Sequence, residues 1–469
     1  MAQFVYRSHM PVSAAAVWDW HARPGALERL TPPWDRVRVV ERTGALEDGA
    51  RVTLSVPIGP MRVRWVSRHR DCVRGRGFVD EQIAGPFASW IHTHAMSDEP
   101  AAHGTPGSAL QSTLEDRIEY TAPGGVLGRA LAQWLAPARL EAMFRYRHDT
   151  LRADLEAHAR DATRPRLTIA LTGASGLLGS ALASFLTTGG HRVIRLVRRA
   201  GGATSDPAAD TAPWDPERGL VAPERLPKLD AVVHLAGESI AGGRWTEARK
   251  TEIRRSRVAG TAALAASLAR LPDPPACLLC ASAIGFYGRR PGDVTEQDLA
   301  GEGFLADVCA AWEAAAAPAV TRGIRVVQLR IGLVLSAAGG LLPVLLPLFK
   351  AGVGGPVGSG RQPASWVALD DVVGAFHHAM QDEALRGPVN VTAPQPVSNG
   401  ALSRTLGRVL HRPAILPAPA FAVRVVMGRE MADETALGGA RVLPERLIAS
   451  GYRFRYPTLE PALRHVLGL

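Results

Sequence analysis

Arg166-Leu-Thr-Ile-Ala-Leu-Thr-Gly-Ala-Ser-Gly-Leu-Leu-Gly179 reads as a short buried strand, a glycine-rich turn and the start of a helix. Gly173, Gly176 and Gly179 have the spacing of a dinucleotide-binding loop. The first serves a tight turn, the second lets backbone approach a pyrophosphate, and the third lets the helix pack closely on the strand. A pyrophosphate would rest on the first amides of the helix, where unpaired N–H groups and the helix dipole favour an anion. Gly173, Ala174, Ser175, Gly176, Leu177, Leu178 and Gly179 are therefore the candidate phosphate-binding residues. The plain alternative is a strand–turn–helix without a ligand. The second strand that follows in order favours the nucleotide.

A fold of this kind normally opens with that loop, yet residues 1–165 precede it, enough for a further domain. The chain has 469 residues, 46% hydrophobic and 21% charged, as expected of a globular protein of two or three domains. No run approaches the ~20 apolar residues of a membrane span. The longest candidate, 341–349, contains Pro343 and Pro347. The N-terminus lacks the charged-then-apolar order of a signal peptide, so a cytoplasmic location is expected. The net charge of +10 is nearly all arginine, the only lysines being Lys228, Lys250 and Lys350. These charges are scattered and not interleaved with aromatics, so nucleic acid is not an expected partner. Cys277 and Cys280 form a C-x-x-C with only leucines between them, which reads as core packing rather than a redox or zinc site.

Residues 4–158 read as a separate α+β domain. A strand over 4–11 is followed by a capped helix beginning at Ser13 and by strand-like runs at 36–41, 51–56, 61–68, 87–96 and 111–120. Helical periodicity then covers 127–155, with Trp134, Leu135, Leu140, Met143, Phe144 and Leu151 as its apolar stripe. A curved sheet wrapped on a last helix is a helix-grip arrangement. With Trp90-x-His92-x-His94, Asp116-Arg-Ile-Glu-Tyr120 and Met143-Phe-x-Tyr-Arg-His148, residues 1–160 resemble the START-like (SRPBCC) ligand-binding superfamily. That resemblance implies a cavity for an apolar or amphipathic ligand.

Residues 166–412 alternate strand and helix as a Rossmann-type doubly wound parallel sheet. Helix 180–188 stops at Gly189-Gly190, and strands are expected at 191–199, 230–237, 276–282 and 325–335. Long helices are expected at 245–271 and 304–321. The spans 366–369, 370–380 and 388–392 finish the sheet, and 413–469 form a small C-terminal domain with two short helices.

An acidic residue at the end of the second strand would bind ribose hydroxyls, whereas arginine suits a 2′-phosphate. This chain has Arg198 and Arg199 there, which favours NADP(H) over NAD(H); two solvated arginines are the alternative. The glycine loop, Leu235-Ala-Gly-Glu-Ser-Ile240, Arg255-Ser-Arg-Val258 and Ala281-Ser-Ala-Ile-Gly-Phe-Tyr-Gly288 are similar to the extended short-chain dehydrogenase/epimerase superfamily. Phe304-Leu-Ala-Asp-Val-Cys-x-x-Trp-Glu313 and Gly354-Gly-Pro-Val-Gly-Ser-Gly-Arg-Gln362-x-x-x-Trp366 resemble its atypical epimerase-like branch. Gly428-Arg-Glu430, Arg441-Val-x-Pro444 and Phe454-Arg-Tyr-Pro457 resemble the small C-terminal domain attached to it. The resemblance implies that Gly173–Gly179 and Arg198 hold phosphates and that Leu235 and Ala236 pack on the cofactor. It also implies Glu252 and Arg257 beside it and Val334 at the nicotinamide end. Read from the residues alone, Leu235, Ala236 and Val334 are equally strand core, and Glu252 with Arg257 a solvated helix pair.

Hydride transfer at an alcohol needs a proton acceptor, in this superfamily a tyrosine with a lysine four residues on and a nearby hydroxyl. None of the six tyrosines has such a lysine, and the resemblance puts Leu305 and Cys309 at those two positions. The remaining catalytic candidates are Ser282 and Tyr287, with packing at a strand end as the alternative. The loop 293–298 offers carboxylates but reads as surface. His92 and His94 alternate along a strand and share a face; with no third ligand evident, they read as cavity lining or solvent-exposed rather than as a metal site. The expected function is an NADP(H)-dependent oxidoreductase or epimerase-like enzyme of atypical mechanism acting on a small molecule. A non-catalytic NADP(H) sensor or ligand-binding regulator is the rival reading.

Overall fold

The computed structural model describes residues 2–99, 111–124, 128, 137–198, 210–221 and 223–469; Leu127, Trp134, Leu135 and Arg199, named above, lie outside them. Alternating buried and exposed positions build β1 (Ala2–Met10), β2 (Arg38–Thr43), β3 (Arg51–Ile58), β4 (Met61–Val73), β5 (Gly77–Ala84), β6 (Ser89–Asp98) and β7 (Ser112–Thr121). They form an antiparallel sheet of order β1-β7-β6-β5-β4-β3-β2. Helices α1 (Ala14–Ala22) and α2 (Ala26–Leu30) follow β1, and Ser13 caps α1 by accepting the N–H of Ala16 at 3.3 Å. Helix α3 (Pro137–Arg160) buries Leu140, Phe144, Leu151 and Leu155 against the sheet, which gives the helix-grip arrangement. The sequence reading lacks β5, because Gly77-Phe-Val-Asp-Glu-Gln-Ile-Ala84 pairs two adjacent apolar residues with three polar ones and shows no clean alternation.

The nucleotide half comprises β8 (Thr168–Thr172), α4 (Leu177–Thr188), β9 (Arg192–Arg198), β10 (Thr211–Asp215), β11 (Gly219–Leu220), β12 (Ala231–His234) and α5 (Glu247–Ala269). It continues through β13 (Cys277–Ala283), α6 (Phe304–Ala314), β14 (Arg325–Ile331), α7 (Leu369–Gln381) and β15 (Gly387–Val391). The sheet order is β11-β10-β9-β8-β12-β13-β14-β15, parallel except for the β10–β11 hairpin at its edge. Strand order reverses between β8 and β12, which opens a crevice at their carboxyl ends. Cys277 and Cys280 lie on opposite faces of β13, in separate cores, as packing residues.

Two expected elements are broken. The strand expected at 325–335 stops at Gly332, where a Cβ would lie 2.5 Å from the Ser365 carbonyl oxygen. Leu333–Leu335 then pairs with Trp366–Ala368. The helix expected at 304–321 ends at Ala314 and resumes at Ala317–Thr321, with Pro318 in its first turn. By length and composition Phe304–Thr321 is apolar enough to cross a membrane, although no such run was expected. Its Leu305, Val308, Cys309 and Trp312 are buried inside the protein. The tail closes over the same sheet. Arg441–Val442 pairs with Asp293–Val294, Glu434 accepts the N–H groups of Phe304 and Leu305 at 2.9 Å each, and helix α8 (Leu459–Leu467) packs on Leu402 and Leu406.

The three parts meet at buried charge. Arg29 of α2 donates two hydrogen bonds of 2.8 Å to Asp154 of α3 and one of 2.9 Å to Asp370 at the head of α7. Arg455 adds 2.7 Å to Asp154, and His465 of α8 stands 3.1 Å from Asp370. Burial opposes ionisation of both carboxyls, but the Arg29 and Arg455 charges outweigh it and hold each below its usual range. Their contribution to stability is therefore complete above about pH 4 and is lost as the pH falls toward the lowered folded values. Arg29→Met removes a charged partner from two buried carboxylates, leaving Asp154 to Arg455 and Asp370 to His465, and denaturant unfolding should show a loss of about 3–5 kcal/mol at neutral pH. That deficit should shrink on acidification below pH ~4, where the wild type loses the same interaction.

Candidate functional site

At the end of β8 the Thr172 hydroxyl accepts the N–H groups of Leu235 (3.1 Å) and Ala236 (3.2 Å), which locks the glycine turn beside the loop after β12. Gly173 has φ +69°, and a Cβ there would lie 2.8 Å from the Leu235 carbonyl carbon. A Cβ on Gly179 would lie 2.1 Å from the Gly173 oxygen. Both positions exclude any side chain. Gly176 is the N-cap of α4 and lacks a side chain to cap it, so the first amides, at Leu177, Leu178 and Gly179, are left for another acceptor. Ser175 and Gly176 are exposed at the crevice.

Ala174, Leu178, Leu235 and Val334 are partly buried at the edge of one core, and the loop after Val334 returns to α4, where Gly339 faces Leu177. Ala236 borders the core on the other face of the sheet. Arg198 is exposed at the end of β9, beside Trp214 of β10. Glu252 and Arg257 do not form the solvated pair that was the alternative reading. Glu252 pairs with Arg255 at 2.9 Å, while Arg257 is buried under the loop after β12 and donates to the Glu238 carbonyl at 2.9 Å. Its guanidinium lies 5.1 Å from the Trp312 ring centre.

Ser282 and Tyr287 both have other partners. Ser282 donates to Glu313 at 2.6 Å, and Glu313 receives Arg330 through bonds of 2.8 and 2.7 Å. Arg330 also donates to the Tyr287 hydroxyl oxygen at 2.9 Å, and that hydroxyl donates to Asn390 at 2.7 Å. Tyr287 is fully buried; desolvation pushes its pKa up despite Arg330, so the hydroxyl stays protonated. Both hydroxyls are buried and already paired inside the protein. Leu305 of α6 lies against Gly285, and burial pushes the Cys309 thiol up to about 12, so this face of α6 is apolar. The loop 293–298 is not all surface. Glu296 is buried, accepts the N–H of Asn390 at 2.9 Å, and has its carboxyl pKa raised by desolvation.

The N-terminal sheet and α3 enclose a second site, a cavity of about 170 Å³. Leu30, Val56, Trp65, Trp90, Leu140 and Met143 give it an apolar wall, and Asp80, His92 and Arg147 a polar one. His92 and His94 do share a face, but both are buried rather than exposed. Asp116 on β7 lies 2.9 Å from His92 Nε2 and 2.6 Å from His94 Nδ1. Its second oxygen lies 2.6 Å from His148 of α3. Burial disfavours charge on His94, yet Asp116 and Asp80 raise its pKa to about 9. Burial and charged His94 lower His92 to about 4.

Residues 169–392 match the NAD dependent epimerase/dehydratase family, 10–144 the polyketide cyclase / dehydrase and lipid transport family, and 418–466 a domain of unknown function, DUF1731. An epimerase family protein of Mycobacterium tuberculosis is 44% identical over 297 residues, 63% of this chain and 96% of that protein. The chain belongs to the epimerase family. A crystal structure described as the nucleoside-diphosphate sugar epimerase from Corynebacterium glutamicum is 32% identical and superposes with a TM-score of 0.78, covering 99% of this chain and 90% of that one. Human epimerase family protein SDR39U1, crystallised with NADPH, is 31% identical and covers 64% of this chain and 99% of its own, with a TM-score of 0.58.

Sequence reasoning missed Asp80, Glu313, Arg330 and Asn390. Arg330 carried a signal, since a charge inside the apolar strand Arg325-Val-Val-Gln-Leu-Arg-Ile331 requires a buried partner. Tyr287→Phe should cost about 1–3 kcal/mol in denaturant unfolding, because Arg330 and Asn390 each lose a partner. NADPH affinity measured by fluorescence titration should stay within about twofold, under 0.5 kcal/mol.

Proposed function

We propose that this chain is an NADP(H)-dependent oxidoreductase of the epimerase fold, working without the tyrosine–lysine pair of the wider superfamily. The observation that carries this reading is the turn at Gly173–Gly179, which no Cβ can enter and whose helix N-terminus lies open at the reversal of strand order. Residues 173–179 would hold the pyrophosphate, Leu235, Ala236 and Val334 would pack on the dinucleotide, and Arg198 would take the 2′-phosphate. Arg257 acts beneath the loop after β12 and sets its height. Glu252 is tied to Arg255 and contributes at most to the rim. The human relative crystallised with NADPH supports the choice of cofactor. When bound, the dinucleotide supplies a hydride donor or acceptor.

Ser282 and Tyr287 hold the carboxyl end of β13 through Glu313, Arg330 and Asn390, and in this reading they position rather than transfer protons. The substrate is a small molecule, and the cavity over α3 receives an apolar or amphipathic one. The apolar Leu305–Cys309 face of α6 favours a second reading, an NADP(H) sensor that binds the cofactor without turnover. NADPH stereospecifically labelled with tritium, incubated with the protein and extracted small metabolites, separates the two. Label transfer supports the enzyme, and tight binding without transfer supports the sensor. Arg198→Ala should weaken NADPH by about 10- to 100-fold, as expected for a charged hydrogen bond, and leave NADH nearly unchanged. Equal losses for both would overturn the assignment of the 2′-phosphate.

A further inference from the structure

Asp80 and His92 are cross-strand neighbours in the β5–β6 register, and His94 lies two residues further along the same face of β6. One ligand atom from each of the three lies within 4.8 Å of the others. We propose that Asp80, His92 and His94 bind a first-row divalent transition-metal ion whose open coordination position faces the cavity of the N-terminal domain.

The local geometry supports the site. His94 Nε2 is buried without an aligned hydrogen-bond partner, while Nδ1 has Asp116 at 2.6 Å. An unsatisfied buried ring nitrogen is costly and calls for an explanation. The gap between His94 Nε2 and Asp80 Oδ2 is 3.4 Å, too long for a strong hydrogen bond. It matches the roughly 3.3–3.5 Å between neighbouring ligands of a tetrahedral ion with 2.0–2.2 Å bonds.

The remaining atoms are already oriented. Asp116 stands behind both rings, at His92 Nε2 and His94 Nδ1, which leaves His92 Nδ1 and His94 Nε2 for the ion. His69 holds the other oxygen of Asp80 at 2.5 Å, which leaves Oδ2 toward His94. Carboxylates placed behind ligating imidazoles are the usual outer shell of a metal centre. Two imidazoles and one carboxylate suit zinc and its first-row neighbours, and three protein ligands leave a place for water or an oxygen of a bound molecule. Asp80 and His92 line the cavity, so that place faces its occupant.

The test uses the untagged full-length chain. Metal content is measured on the purified protein, then Zn²⁺ and Co²⁺ are titrated into chelator-treated protein. The proposal expects a single ion per chain, an intense visible Co²⁺ spectrum of a four- or five-coordinate site, and a rise in thermal midpoint with Zn²⁺. Asp80→Asn, nearly isosteric and at the cavity wall, should weaken Zn²⁺ by at least about tenfold, and His92→Ala likewise. Absence of bound metal and of a Co²⁺ spectrum in the wild type overturns the site whatever the variants do. Equal Zn²⁺ affinity in wild type and folded variants overturns it as well, by placing the ion elsewhere.

Discussion

Arg29 is enclosed between two carboxylates from distant parts of the chain, Asp154 of the N-terminal domain and Asp370 of the nucleotide half. A guanidinium taken out of water is tolerated only when its charge and N–H groups are met, and here both carboxylates meet them while Arg455 and His465 of the tail share the load. The ring of His465 also lies between Tyr146 and Tyr456, with ring centres 4.8 and 4.7 Å away. Moving any of the three parts would strand a buried charge. Their mutual placement is thus a condition of folding rather than a loose docking of domains.

That placement fixes where chemistry can occur. The nucleotide half offers the crevice at the reversal between β8 and β12, and the N-terminal domain the cavity beside α3. The carboxyl ends of β13 and β14 are filled by a buried polar chain through Ser282, Glu313, Arg330, Tyr287 and Asn390. A buried polar network whose members are all paired stiffens its surroundings.

What could be read from the sequence follows from how local each constraint is. The glycine turn was legible because its spacing is set within seven residues, a Cβ on Gly179 meeting the Gly173 oxygen; the approach of Leu235 to Gly173 is long-range and could not be read. The helix-grip domain was legible from element order and from capping at Ser13, but β5 was not, and Asp80 went with it. Its side chain acquires meaning only from strand pairing with His92, which no local pattern reveals. The partners of Ser282 and Tyr287 come from α6, β14 and β15, so their commitment to packing was equally invisible. The split of the expected strand at Gly332 depends on the close approach of Ser365, another long-range contact.

Helix α2 has one further consequence. Leu27 and Leu30 face the cavity, while Gly25 at its head sits so close to α4 that a Cβ would lie 2.7 Å from the Ser184 Cα. Helix α2 and its N-cap Gly25 therefore wall the cavity on one side and pack on α4 on the other. An occupant that displaced α2 would therefore bear on α4, the helix that follows the glycine turn. Linkage then requires the reverse, so a dinucleotide that set the turn would reshape the cavity by an equal free energy. Two ligands that never touch would share one partition.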